Sequence, residues 1–169
     1  SSDRRFTQML IERYKLDENA EPTAVRAELL KRLDIVPLSL ALSQAAKESA
    51  WGTSRFARQG NNLFGQWCFE KGCGLVPLQR GAGQVHEVAR FSSVSDAVAS
   101  YLRNINSHQA YRDLRDARAA LRAKGQPITG LKLATYLTRY SERGQPYVDE
   151  IQSMIRFNKL DALDLPAPS

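Results

Sequence analysis

The sequence has few of the residues from which metal centres and membrane anchors are built. Its two histidines, His86 and His108, lack the partner four residues away that a zinc-binding helix requires. The glycine-containing segment RGAG, residues 80–83, lacks the lysine and the following helix of a phosphate-binding loop. No run of 18 apolar residues occurs, which argues against membrane insertion. We therefore predict no metal ion and no cofactor.

The first ten residues, SSDRRFTQML, lack the apolar segment of a signal peptide, and the chain does not begin with Met. We therefore expect a mature protein or a domain excised from a longer one. The 169 residues are 43% hydrophobic and 25% charged, which is typical of one globular domain with a core. We interpret residues 1–169 as a single, monomeric domain.

Only two cysteines are present, Cys68 and Cys73, and they bracket the tetrapeptide FEKG. Their spacing allows a disulfide that closes a tight loop, a pair of metal ligands, or two free buried thiols. We favour the disulfide, which fits an oxidising compartment such as the periplasm.

The net charge of +6 favours a polyanionic partner, either nucleic acid or an anionic cell wall. A row of arginines on one predicted helix is the feature that would suit nucleic acid, but Asp113 and Asp116 are interleaved with it. Mixed charges on a helix usually indicate a solvated, ion-paired face, so we predict no nucleic-acid binding. The row consists of Arg112, Arg115, Arg118 and Arg122.

The segment from residue 37 to residue 51 is predicted to be a helix that is apolar nearly all round, with Gly52 ending it. Glu48 lies near its C-terminal end. Burial and the negative end of the helix dipole both raise the pKa of a carboxyl group there, as a general acid requires. The alternative is a solvated glutamate, or one paired with Lys47 or Arg55.

An aromatic and amide-rich segment follows the helix. Aromatic faces suit the apolar side of a sugar ring, and amides suit its hydroxyl and N-acetyl groups. Several apolar residues here, such as Phe56 and Phe64, are also candidates for the core. Our candidate sugar contacts in this segment are Trp51, Asn62, Gln66 and Trp67.

The run AxxQAAKESAWGxSRFAxxGNNLFGQWC resembles the signature of bacterial cell-wall N-acetylglucosaminidases of glycoside hydrolase family 73, and is most similar to the Bax-type branch. The similarity extends from about residue 26 to about residue 160. It implies a mainly helical α+β, lysozyme-like fold with a small β-hairpin lobe beside an active-site cleft. It also implies that Glu48 is the catalytic acid.

The pattern along the chain agrees with such a fold. Residues 1–21 carry an N-terminal helix, and residues 63–91 consist of short strand-like runs between glycine-rich turns. Helical periodicity returns after residue 92. We expect residues 161–169, with two prolines, to be a frayed tail.

Glycoside hydrolysis normally uses a second carboxylate. We predict Glu87, on a strand-like run that could face Glu48, although an alternating strand position can equally point into solvent. Glu70 lies in the Cys-bracketed turn and is interpreted as solvated. A neighbouring-group mechanism, in which the substrate's N-acetyl oxygen attacks, is the alternative.

The resemblance also implies roles for two tyrosines. The family's Tyr-Ala-Thr-Asp-Pro-x-Tyr segment here reads Tyr-Ser-Glu-Arg-Gly-Gln-Pro-Tyr, which is one residue longer and has Glu142 as its acid. Tyr140 matches the first tyrosine, whose hydroxyl would bond the acid or the N-acetyl group. Tyr147 matches the second and is a candidate substrate contact. We interpret Tyr101 and His108 as structural.

The resulting hypothesis is a peptidoglycan hydrolase that acts in the periplasm or on the cell wall, with endo-N-acetylglucosaminidase activity favoured. N-acetylmuramidase (lysozyme) activity is one alternative, because lysozyme-like folds catalyse both reactions. A non-catalytic wall-binding module is the other, and it would not need Glu48.

Overall fold

The computed structural model describes residues 2–165, which form eight α-helices, two 3-10 helices and one three-stranded antiparallel sheet. The α-helices are α1 Ser2–Tyr14, α2 Pro22–Arg32, α3 Leu38–Glu48, α4 Arg55–Gly60, α5 Val94–Ser107, α6 Arg112–Ala123, α7 Gly130–Ala134 and α8 Gln145–Phe157. The strands are β1 Trp67–Cys68, β2 Gly74–Leu75 and β3 Glu87–Ala89, and the 3-10 helices are Gln109–Tyr111 and Leu160–Asp164. The predicted mainly helical α+β fold is confirmed.

The main core lies along one side of α3, which packs against α7, α8 and the C-terminal 3-10 helix. Leu40 on α3 has no exposed surface, but Leu38 is 50% and Leu42 is 42% exposed. The helix is therefore buried on one side only, although its sequence is apolar nearly all round. The other residues of this core that have no exposed surface are Tyr101, Ile105, Leu114, Leu133, Ala134, Leu137, Val148, Ile151 and Ile155.

Helix α3 ends at Glu48, three residues earlier than the predicted boundary at Trp51. The backbone turns left-handed at Ala50, Trp51 and Gly52, with φ of 49°, 58° and 80°. Three consecutive left-handed residues cannot continue a right-handed helix. The boundary therefore leaves Glu48 as the last helical residue.

Asp164 joins the N-terminal ends of two helices. Its carboxylate accepts hydrogen bonds from the backbone N–H of Ser39 at 3.0 Å and of Gly130 at 2.8 Å, and from the Ser39 hydroxyl. A negative charge at a helix N-terminus is also favoured by the helix dipole. The predicted fraying is therefore wrong for residues 161–164, whereas residues 166–169 lie outside the described part of the chain.

The arginine row on α6 is only partly solvated. Arg118 has no exposed surface and donates to the carbonyls of Lys31 and Ile35, both at 2.7 Å, while Arg115 is 3% exposed. Arg122 makes an exposed ion pair, but with Asp34 rather than with the interleaved Asp113 or Asp116. The prediction of a solvated face is wrong for the two inner arginines because both satisfy buried backbone carbonyls. Arg118 does so between α2 and α3, whereas Arg115 donates to the carbonyls of Ile105 and His108 at the end of α5.

A smaller cluster joins α1 to α2 through Leu10, Ile11, Val25 and Leu29. At the other side of the molecule the strands are arranged β1-β3-β2, and Trp67 and Leu75 both pair with Val88. Within residues 2–165, no helix is long and apolar enough to cross a membrane.

We expect Asp164→Ala to lower the free energy of unfolding by about 2–3 kcal/mol, because two helix ends lose an acceptor for their N–H groups. Chemical denaturation measures this loss. Asp161→Ala is the matched control, since Asp161 lies exposed in the same 3-10 helix. It should change stability by less than about 0.5 kcal/mol. Equal losses in the two variants would contradict the role of Asp164.

Candidate active site

Glu48 lies at the C-terminal end of α3, where its carboxyl group is partly buried. Burial raises its pKa above the ordinary value of 4.5, against the opposing effects of a hydrogen bond from Tyr147 and the nearby charge of Lys47. A carboxyl group in this environment keeps its proton to a higher pH than a solvated glutamate does. This is the property predicted from the helix pattern.

Behind Glu48 lies a buried set of polar side chains. Gln44, one turn earlier on α3, donates from Nε2 to the Tyr147 hydroxyl at 2.9 Å. The Tyr101 hydroxyl donates to Oε1 of the same amide at 2.6 Å. Tyr147 itself is 2% exposed. It therefore contacts the acid from inside the core rather than a substrate, contrary to our prediction of a sugar contact.

In front of Glu48 lies the backbone of Gly65. This residue has a φ of 67°, and a Cβ built on it would lie 2.9 Å from Oε2 of Glu48. Only glycine permits both this backbone conformation and this close approach. Asn62 shapes the turn by donating to the carbonyls of Gln66 at 2.9 Å and Ala89 at 2.8 Å.

Glu48 and Gly65 face a cleft of about 640 Å³. In the described part of the chain, Glu142 is the other carboxylate that lines it, and Arg139 and Arg143 also do so. The remaining lining residues are Phe64, Gln66, Trp67, Asn104, His108, Ala110, Tyr111, Tyr140 and Ser141.

An ion-pair network holds one wall of this cleft. Glu150 on α8 pairs with both Lys47, the neighbour of Glu48, and Arg143 in the preceding loop. These two cations lower the pKa of Glu150 to about 2. The network joins the end of α3 to the loop that carries Glu142.

Tyr140 lines the cleft beside the acid, but its hydroxyl donates to the Phe64 carbonyl at 2.8 Å. Of the two predicted partners, the acid and a substrate N-acetyl group, the acid is thus not bonded by Tyr140, and the tyrosine hydroxyl that acts on the pKa of Glu48 is that of Tyr147. Tyr140 therefore positions the turn that contains Gly65. The difference arises because Tyr140 precedes α8, whereas Tyr147 lies on its buried face.

Glu87 is not in the cleft, so its predicted position opposite Glu48 is wrong. Its side chain is 5% exposed and accepts the backbone N–H groups of Gly72 at 3.0 Å and Gly74 at 2.8 Å. These two bonds lower its pKa. The carboxylate therefore serves as the acceptor for backbone N–H groups in and after the tight loop between β1 and β2, as buried backbone donors require.

That loop is closed by a disulfide between Cys68 and Cys73, as predicted. The two sulfur atoms are bonded to each other and so are unavailable as thiolate ligands for a metal ion. The disulfide directly follows Trp67, and it therefore anchors the strand that carries this cleft residue.

The four candidate sugar contacts have different positions. Trp67 lines the cleft, is 52% exposed and stacks on His86 with ring centroids 3.9 Å apart. Gln66 lines the cleft, but its amide bonds Ala97 and Ser100. Asn62 is 1% exposed and Trp51 is absent from the lining, so neither is placed to contact a ligand in the cleft.

Several residues of the site were not identified from the sequence. Gln44 is one turn before Glu48, and this spacing alone indicates that the two share a helix face. Gly65 follows Phe64 of the motif. Its left-handed backbone could not be predicted from the sequence, because the presence of a glycine is the only indication of it. Asn104 and Arg139 lie far away along the chain, and only the tertiary fold brings them to the cleft.

Comparison with known proteins agrees with these observations. A family model described as mannosyl-glycoprotein endo-beta-N-acetylglucosaminidase matches residues 24–160. A stretch of 131 residues is 40% identical to Protein bax of Escherichia coli (strain K12). The matched stretch covers 78% of this chain and 46% of that protein. The chain thus spans about half the length of this curated relative. No solved structure matches it.

We expect the amide protons of Gly72 and Gly74 to titrate with the Glu87 carboxylate, with a midpoint below the ordinary value of 4.5. A depressed pKa means that the carboxylate stabilises the fold above the unfolded-state pKa and that this contribution disappears as the pH falls through the folded-state pKa. NMR titration measures the midpoint. Glu87→Gln should remove the transition, and Glu70→Gln, an exposed change in the same loop, should leave it intact. A transition that survives Glu87→Gln would refute the assignment.

Proposed function

Because the chain belongs to the glucosaminidase family, glycoside hydrolase family 73, we propose that it hydrolyses β-1,4 glycosidic bonds of the peptidoglycan glycan strand as an endo-N-acetylglucosaminidase. The observation that carries this proposal is the desolvated carboxyl group of Glu48, which lines a cleft within the matched region. No metal ion or cofactor is invoked.

In the proposed reaction Glu48 is the general acid. Its raised pKa lets it hold a proton to a higher pH than a solvated glutamate, and it donates this proton to the glycosidic oxygen as the bond to the anomeric carbon breaks. The Tyr147 hydroxyl then bonds the carboxylate that forms. The reaction should lose rate as the pH rises through the pKa of Glu48, because only the protonated form acts.

Glu142 is our candidate for the second carboxylate, in place of Glu87, because it lines the same cleft. As a base it would remove a proton from the attacking water. In the alternative, neighbouring-group reaction, the substrate's own N-acetyl oxygen attacks the anomeric carbon and Glu142 is not required.

The cleft also offers surfaces for the sugars. Trp67 has one ring face against His86, which leaves the other face available for the apolar side of a pyranose. Asn104 and Tyr111 supply polar groups along the same wall. The net charge of +6 would favour adhesion to an anionic cell wall, in the periplasm or outside the cell.

The alternatives predict different products or none. A muramidase would cut the other glycosidic bond of the strand and leave N-acetylmuramic acid at the new reducing end. A wall-binding module would bind without cleavage, but it gives no reason to hold Glu48 desolvated. Nucleic-acid binding is disfavoured because two arginines of the α6 row are buried.

We expect Glu48→Gln to abolish hydrolysis of purified peptidoglycan, by at least about 1,000-fold, while the protein stays folded and still binds the wall, because the amide cannot donate the acid proton. Reducing-end release measures the rate, and mass spectrometry of reduced products identifies the terminal sugar. Terminal N-acetylglucosaminitol supports the proposal, and terminal muramitol supports the lysozyme alternative. Full activity in this variant would refute the acid role.

The same assay distinguishes the two mechanisms through Glu142→Gln. A loss of about 100-fold or more would support Glu142 as the base. Unchanged activity would favour attack by the N-acetyl oxygen. Glu70→Gln is the control, because Glu70 is an exposed carboxylate outside the cleft lining.

We expect Gly65→Ala to reduce hydrolysis by about 100-fold, because the new methyl group displaces the Glu48 carboxyl group. Gly83→Ala is the matched control. Gly83 has a similar φ of 79°, but a Cβ there meets nothing within 4 Å. Both variants should lose about 1 kcal/mol of stability from backbone strain, and only Gly65→Ala should lose activity. Equal activities would show that Gly65 does not limit the position of Glu48.

A further inference from the structure

A buried hydrogen-bonded chain behind Glu48 runs from Tyr101 through Gln44 to Tyr147, with each bond donated towards the acid. We propose that Gln44 and Tyr101 are positioning residues, which act through Tyr147 to hold one oxygen of the Glu48 carboxyl group and so keep the acid proton on the other oxygen. This inference rests on the proposed role of Glu48 as general acid.

The direction of the chain follows from the number of donors and acceptors. Tyr101 donates to Oε1 of Gln44 at 2.6 Å, so Nε2 must face Tyr147, to which it donates at 2.9 Å. The Tyr147 oxygen thus accepts one bond, which leaves its own proton to point towards Glu48, the neighbouring carboxyl group that raises the pKa of Tyr147. A reversed amide would turn the Tyr147 proton away from Glu48 and, within the described residues, leave the Tyr101 proton without an acceptor.

The chain is held rigidly. Gln44 and Tyr101 have no exposed surface and Tyr147 is 2% exposed, so water does not compete for these bonds. The Tyr101 ring stacks on Phe64 with centroids 4.0 Å apart, and the Tyr147 ring stacks on Tyr140 at 5.7 Å. The three members come from α3, α5 and α8, so the bonds also fix how these helices meet.

The order of the bonds does not change with pH. Burial raises the pKa of both Tyr101 and Tyr147 far above the ordinary value of 10, so both remain donors wherever the protein is folded. Of the groups around Glu48, Tyr147 hydrogen-bonds it and Lys47 acts on it through charge. The other titratable or charged groups that face it or share its cleft are Tyr111, Tyr140, His108, Arg139, Arg143 and Glu142.

The consequence for catalysis concerns both states of the acid. In the protonated state, an oxygen that already accepts the Tyr147 proton does not carry the acid proton, which therefore resides on the other oxygen. After transfer to the glycosidic oxygen, the same bond stabilises the carboxylate. Gln44 and Tyr101 polarise this bond without exchanging protons themselves.

Tyr147→Phe, Gln44→Met and Tyr101→Phe test the inference through the pH profile of the initial rate on purified peptidoglycan. Loss of a donor to the charged acid should raise the pKa of Glu48. In Tyr147→Phe the alkaline limb should therefore move up by about one pH unit, and the rate at the optimum should fall about tenfold. Gln44→Met and Tyr101→Phe should each move the alkaline limb up by roughly half a pH unit.

The double variant Tyr101→Phe/Tyr147→Phe is the decisive comparison. If Tyr101 acts only through Tyr147, its alkaline limb coincides with that of Tyr147→Phe. Additive shifts, or an unchanged limb in both Tyr101→Phe and Gln44→Met, would overturn the inference. If Gln44→Met does not fold, Tyr101→Phe, which removes one oxygen atom, decides the matter alone.

Ile155→Val is the control for a general loss of core packing, because Ile155 is fully buried in the same core and carries no polar group. It should lower the melting temperature without moving the alkaline limb. Glu48→Gln separates the two proposals. If Glu48→Gln retains activity, the proposed function fails, whereas unmoved profiles in a protein that requires Glu48 refute the positioning role alone.

Discussion

The structure depends on the desolvation of one carboxyl group at the end of a core helix. Burial of Glu48 raises its pKa, and a partly buried acid must be given partners or it destabilises the fold. Tyr147 supplies a hydrogen bond from the core side. Gly65 leaves space on the cleft side, where any side chain would meet the Glu48 oxygen. The surrounding fold keeps both sides of this carboxyl group in place.

Distant parts of the chain converge to meet this requirement. The turn around Gly65 is held by the Tyr140 hydroxyl through the Phe64 carbonyl, and Glu150 joins Lys47 to Arg143 across the same wall. Helix α8 and the loop before it therefore hold both the end of α3, through Lys47, and the turn that contains Gly65, through Phe64. Asp164 fixes the opposite end of α3, so the helix is held at both of its termini.

The family resemblance implied the fold class. Local pattern indicated a buried carboxyl group at Glu48, favoured the disulfide and located the small sheet, because each of these depends on neighbours in the sequence. Periodicity identified α3, and a carboxylate at the end of an apolar helix indicated Glu48. Local pattern could not predict the role of Glu87, because the alternation of a three-residue strand does not show which backbone donors its side chain contacts. Asn62 was misassigned for the same reason, because an amide suits a sugar and a turn equally well.

The sequence by itself determined that this protein has a general-acid candidate, a family and a mainly helical domain. Only the tertiary structure decided which groups surround the acid. It placed Tyr147 rather than Tyr140 against Glu48, and Glu142 rather than Glu87 in the cleft. The physical reason is that helix patterns and capping act over a few residues, whereas desolvation and hydrogen bonding at a site are set by contacts among segments about 100 residues apart.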